Sequence, residues 1–291
     1  MHQKLYILLA AVILLVAGGV AWLTIGKVPP AGTKDKVAVT IFPLFDMVRN
    51  VAGSELETVL ILPPGASPHT FDPTPQEVKK ITGSRALFVI GHGIDDWSRT
   101  LADSAGVTKE NIIAADRNIV LMDGEDPHYW LSVTNAKLMT AQIKDDLSQL
   151  FPEKAPLFET NLRQYQDRLT ALESEINSQL AVPGNKQIAT FHNAWAYFGR
   201  DHGVKIATTF EEFPGEEPTA EYLAEFTTKV RTAGVKVIFG EPQFSTKPLE
   251  ALASDLGITI SVLDPLGGTD ELPSFEAMMK FNAQKIREVL L

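Results

Sequence analysis

The stretch FPEKAPLFETNLRQYQDRLTALESEINSQL, residues 151–180, decides how this chain is organised. Apolar or aromatic side chains fall at Leu157, Phe158, Leu162, Tyr165, Leu169, Leu172, Ile176 and Leu180. Steps of three and four are the helical period, and charged or amide residues fill the gaps. Pro152 and Pro156 are tolerated only near a helix start, and Val182-Pro183-Gly184-Asn185 ends the run. From Pro156 to Leu180 the spacing predicts a rod of about 37 Å at 1.5 Å per residue. Glu153, Asp167, Arg168, Glu173 and Glu175 keep one side wet, so the rod lies across a protein surface. A long helix over 151–182 between halves of similar size reads as a strut joining two lobes, 37–150 and 183–291.

Working outward, each lobe alternates apolar runs with helical patterns. In the first lobe the runs are 37–42, 57–62 and 86–91, with 111–115 and 119–122 as further short strands. A helix starts at Thr74-Pro75, another from about Asp95, and a third at Thr134-Asn135. In the second lobe the runs are 186–191, 204–210, 235–240 and 258–263. Asn193 is placed to cap the helix that closes on Gly203, Pro218-Thr219 opens another, and helices over 247–256 and 274–291 follow. Strands alternating with helices predict an α/β fold: two Rossmann-like lobes, each a parallel sheet covered by helices. Ligands of such sheets bind beyond the carboxyl ends of the strands, here in the cleft between the lobes.

At 291 residues, 45% hydrophobic and 21% charged, the chain has enough apolar content for ordinary buried cores. A net charge of −10 argues against nucleic acid as a partner, because phosphate binding needs a basic surface. The absence of cysteine excludes disulfides and thiolate metal sites, and leaves no residue for an amino-terminal lipid anchor. Residues 1–26 carry one early lysine and then an uncharged apolar run from Leu5 to Gly26. The composition is that of an export signal, and the length suffices to span a bilayer. A signal peptide or signal anchor is expected, followed by a Pro/Gly/Lys linker over 27–36. The rest of the chain is then periplasmic or extracellular, and the anchor form would tie it to the cytoplasmic membrane.

Four potential metal ligands share one feature: His69, His128, His192 and Asp264 each follow an apolar strand or lie in the loop beyond one. Two come from each lobe. Three imidazoles and a carboxylate suit a borderline cation such as Zn²⁺ in a closed tetrahedral site. Taken singly, each signal has an ordinary reading: a lone histidine is commonly hydrogen-bonded or on the surface, and Asp264 before Pro265 is a turn former. His92 is a candidate outer partner of the site, and Glu241 a partner for a ligand imidazole. His202 reads as an exposed residue near a helix end. Glu211, Glu212, Glu216 and Glu217 read as a solvated loop at the cleft mouth. Tyr129, Trp130, Trp195 and Tyr197 read as packing around the site.

The segments GASPHTFDPTPQEV (65–78), DPHYWLSVTNAK (126–137), FHNAWAYFGRDHGV (191–204), EEPTAEYLAEF (216–226), EPQFSTKPLEALASDLGI (241–258) and LDPLGG (263–268) together resemble the metal-specific solute-binding proteins of ABC transporters. In that zinc and manganese uptake family, two lobes are joined by one long helix. The resemblance implies that His69 and His128 are ligands from the first lobe, and His192 and Asp264 from the second. The family uses His or Glu at the position of His192; His is similar to its zinc binders. Departures are Ser132-Val133 where Asp-Pro is usual, Asn193 where Asp is common, and Asp123-Gly124-Glu125-Asp126 in place of a His-rich loop.

The implied function is an extracytoplasmic receptor that captures Zn²⁺, or alternatively Mn²⁺, and delivers it to an ABC transporter permease. The receptor is expected to be a monomer and not an enzyme. Competing readings are a zinc-dependent hydrolase, against which no HExxH motif is present, and a manganese-specific receptor or an adhesin on the same fold.

Overall fold

The computed structural model describes residues 35–122, 126–211 and 214–291. The expected export segment, the linker up to residue 34, the Asp123-Gly124-Glu125 run and Glu212 lie outside the described residues. Among the described residues no helix is long and apolar enough to cross a membrane.

The first half runs β1 (Asp35–Val39), α1 (Phe42–Ala52), β2 (Leu56–Leu60), α2 (Pro75–Ile81), β3 (Leu87–Val89), α3 (Trp97–Ala105), β4 (Ile112–Ala114) and α4 (Val133–Leu150). Then comes α5 (Ala155–Leu180), the long helix. The second half runs β5 (Gln187–Thr190), α6 (Ala196–His202), β6 (Lys205–Thr209), α7 (Ala220–Ala233), β7 (Val237–Gly240), α8 (Lys247–Leu256), β8 (Thr259–Val262) and α9 (Phe275–Leu290). Each half forms a four-stranded parallel sheet, in the orders β2-β1-β3-β4 and β6-β5-β7-β8. The two orders are the same path, so each sheet reverses direction once, between β1 and β3 and between β5 and β7. Such reversal points open a crevice at the strand carboxyl ends.

The strands owe their place to burial on both faces. Val37, Ala38 and Val39 are buried, as are Leu87, Phe88 and Val89, which is the near-continuous apolar run of a covered parallel strand. The long helix places Phe158, Leu162, Tyr165, Leu169, Leu172, Ile176 and Leu180 in the core. That core is continuous and takes residues from both halves, from Val37 to Ile286. Smaller clusters cover the far face of each sheet.

Local signals placed most helices correctly. Thr74 caps α2 through Gln76 N while Glu77 reaches back to Thr74 N at 2.9 Å, the reciprocal capping box. Thr219 and Ser274 cap α7 and α9. Four details differ from the sequence expectation. Ile119–Met122 forms no strand: β4 is a sheet edge where the Gln142 side chain of α4 already bonds Ala114 O (2.6 Å) and Arg117 N (2.8 Å). Ser132, not Thr134, caps α4. Asn193 caps nothing, because the chain makes a tight Ala194 N to His192 O turn (3.0 Å) and α6 starts only at Ala196. Leu157 faces solvent, one position off the buried stripe of its helix.

Candidate metal centre

His128 follows the turn Asp126-Pro127 and leads into a single helical turn, Tyr129–Leu131, that is wholly buried. His192 sits at the end of β5, beside the point where the second sheet reverses. Its carbonyl accepts the Thr190 hydroxyl at 3.0 Å. His69 comes from the long irregular loop between β2 and α2, and its backbone N–H reaches Ser67 Oγ at 3.3 Å.

These three imidazoles converge. The Nε2 atoms of His69 and His128 are 3.1 Å apart, and those of His192 and His128 are 3.3 Å apart. One ligand nitrogen from each ring lies within 4.8 Å of the other two. For zinc–nitrogen bonds of about 2.0–2.1 Å, the edge of a tetrahedron is about 3.3 Å, so the rings stand at coordination spacing.

Carboxylates decide which way two of the rings face. Asp126 Oδ1 accepts from His128 Nδ1 at 2.7 Å and from His128 N at 2.9 Å. Glu241, at the end of β7 and buried, brings Oε1 to 2.8 Å from His192 Nδ1, although the pair is misaligned for a hydrogen bond. With a proton on each Nδ1, the tautomer that a facing carboxylate favours, the Nε2 lone pairs of both rings point inward. Two inward lone pairs repel, and a cation between them removes the repulsion. Burial pushes the His69 imidazolium down to about 2, helped by the neighbouring imidazoles. Burial also lowers the pKa of His128, against the opposing pull of Asp126. Both rings are therefore neutral, the form a metal requires.

Asp264 follows β8 and is buried. Its Oδ1 accepts from Gln243 Nε2, Leu266 N and Gly267 N, each at 3.0 Å, and the carboxylate is not in the three-imidazole cluster. Trp130 Nε1 donates to the carbonyl of the next residue, Pro265, at 2.8 Å, which fixes the Asp264 turn to the first half. The three imidazoles, Trp130, Glu241 and Gln243 line a cavity of about 10 Å³. That is room for one water-sized sphere, whereas an organic ligand needs about 300 Å³ or more. A larger trough of about 690 Å³ runs along the edge strand β6. Its Arg200 and Lys229 already pair with Asp201 and Glu225 at 2.7 Å.

Other candidates fall differently. His92 pairs with Asp116 at 2.7 Å and stands outside the imidazole cluster. His202 is buried, not exposed: it ends α6 against the long helix, with Nδ1 2.8 Å from Asn177 Oδ1. Glu211 is buried too, its carboxylate accepting from Gly215 N at 2.8 Å and its pKa raised by desolvation. Glu216 and Glu217 are exposed. Tyr129, Trp130, Trp195 and Tyr197 are all buried beside the cleft. The role of Asp126 went unread in the sequence, though Asp-Pro-His is a short loop spacing at which an aspartate bonds the backbone two residues on.

Fold and site define a two-lobed α/β protein whose imidazoles enclose a cavity the size of one ion. Residues 37–289 match the protein family described as zinc-uptake complex component A, periplasmic (ZnuA). The zinc-binding protein AdcA of Streptococcus pyogenes serotype M1 is 28% identical over 279 residues, covering 86% of this chain and 54% of AdcA. The chain thus spans about half the length of those relatives. The manganese ABC transporter substrate-binding lipoprotein PsaA of Streptococcus pneumoniae serotype 4 is 30% identical over 279 residues, 89% of this chain and 90% of PsaA. A crystal structure of ZnuA superposes with a TM-score of 0.80 at 28% identity, covering 89% of this chain and 100% of that one. The chain belongs to the ZnuA family.

Proposed function

We propose that the protein is a receptor that captures Zn²⁺ outside the cytoplasm and hands it to an ABC permease. His69, His128 and His192 are its ligands, and Asp264 supplies the fourth donor after a small turn adjustment. The single observation that carries this reading is three imidazoles at coordination spacing around a cavity of about 10 Å³. A nitrogen-rich donor set favours zinc over harder ions. Mn²⁺ is the second reading, supported by similarity to a manganese receptor over most of both chains. The apolar amino-terminal segment would hold the receptor at the membrane, and it would act as a monomer.

Calorimetry on metal-stripped protein is expected to give one tight zinc site that outcompetes manganese. In His128→Ala that site is lost or weakened by orders of magnitude, because the ring lies between the other two. Unchanged zinc binding in His128→Ala would refute the assignment, and tighter manganese than zinc binding would move it to the second reading.

A further inference from the structure

The three imidazoles are not held alike. His128 and His192 each have a carboxylate behind the ring and a buried backbone beneath it. His69 has neither. Among the described residues its ring has polar and ring-to-ring contacts with the other two imidazoles alone, and its backbone belongs to a loop without regular structure. Trp97, the first residue of α3, holds that loop from outside it. The indole Nε1–H donates to Pro68 O at 3.1 Å, one residue before His69. The same indole meets the ring of Phe71 edge-on at 4.9 Å, two residues after it. One rigid side chain thus grips the loop on both sides of the ligand. Trp97 is itself anchored: α3 begins at the turn in which the Asp95 carboxylate accepts from Ile90 N (2.7 Å), Gly91 N (2.9 Å) and Thr40 Oγ1 (2.6 Å).

We propose that Trp97 is a positioning residue that holds His69 in the coordination sphere and so sets how fast the captured ion leaves. The inference rests on the zinc-receptor reading above. An ion held by these rings and Asp264 escapes when a ligand lets go; His69 is the least supported of the rings, and the Trp97 grip restrains its departure. Losing one donated hydrogen bond loosens the loop without removing any donor from the metal, so dissociation should change more than association.

The test uses the full-length protein loaded with Zn²⁺ and mixed rapidly with an excess of a chromogenic chelator. Trp97→Phe keeps the ring contact with Phe71 and loses the N–H donor. It is expected to release zinc about five- to tenfold faster, the size of one net hydrogen bond, with an association rate close to wild type. In a His69→Ala background the same substitution should leave release unchanged, because the loop then carries no ligand. Release unaltered by Trp97→Phe, or accelerated equally with and without His69, would overturn the proposal. Phe71→Leu loosens the grip from the loop side and gives the same test should Trp97→Phe fold poorly. A wild-type protein that binds no zinc overturns the receptor reading and this inference with it; a wild type that binds while Trp97→Phe behaves identically overturns this inference alone.

Discussion

Asp126 and Glu241 stand behind two of the three imidazoles but are held very differently. Asp126 Oδ1 takes both the backbone and the ring N–H of His128, so one oxygen fixes the turn and the tautomer together. Glu241 has both carboxylate oxygens buried without an aligned donor among the described residues, 2.8 Å from His192 Nδ1. Asp126→Asn separates charge from geometry, because the amide oxygen can still accept both bonds while the negative charge is lost. A carboxylate behind a ligand imidazole raises its basicity, and removing such partners typically weakens metal binding about 10- to 100-fold. Since the acceptor survives in Asp126→Asn, a loss near tenfold is expected in a chelator competition titration, with little change in the melting temperature of metal-free protein. Wild-type affinity would mean that orientation alone matters at His128. The pairing of ring and carboxylate is legible in retrospect from Asp-Pro-His, whereas nothing local in the sequence joins His192 to Glu241. That contact exists because β5 and β7 are neighbours in the sheet.

At the scale of elements, α5 was the most legible feature, since a 26-residue helix repeats its period often enough to be unmistakable. Strand cores were legible as apolar runs, and the Thr74-Pro75 and Pro218-Thr219 pairs located the starts of α2 and α7. Contacts made across large sequence separations were not, and Asp46 is the clearest case. In the sequence it is one polar residue within the α1 pattern; in the fold its Oδ2 accepts Phe275 N at 2.9 Å, 229 residues away, while Oδ1 pairs with Arg49 at 2.5 Å. A buried carboxylate from the second element of the chain thus satisfies a backbone donor in the first turn of α9. Burial raises its pKa above the usual aspartate value, so this arrangement costs desolvation and persists through its hydrogen bonds. Ser274 still caps α9 through Ala277 N, so Asp46→Ala should weaken the docking of α9 rather than melt it. The expected cost is about 1–3 kcal/mol, the penalty for orphaning a buried donor. Urea unfolding would read this as a lower midpoint with an unchanged slope, while an unchanged midpoint would show that Phe275 N finds another partner.

For the molecule as a whole, the question is whether capture requires the halves to swing together. Hinge-closing receptors join their lobes through a few loop residues that absorb the rotation. Here the halves are tied at several separate points. Trp130 Nε1 donates to Pro265 O at 2.8 Å, Tyr197 OH bridges Asp126 O and Met122 N at 2.8 and 2.9 Å, and Asp46 holds Phe275 N. Ser132 bonds Asp201 across the same boundary. Gly268, with φ of +83°, lies so close to Phe42 that a Cβ there would come within 2.8 Å of the ring. The long helix adds a stiff rod packed into a core that both halves share. Opening the cleft would break these bonds together and expose that core, a far larger cost than moving one loop. On the proposed function the ion then enters and leaves by local movement, with the His69 loop the least restrained of the three segments that carry the imidazoles. Small-angle scattering is expected to give superimposable curves for metal-stripped and zinc-loaded protein, with a radius of gyration near about 19 Å in both, as for a compact chain of this length. A clear contraction on adding zinc would mean that the interlobe bonds break in the metal-free state, and that the long helix acts as a hinge instead of a strut.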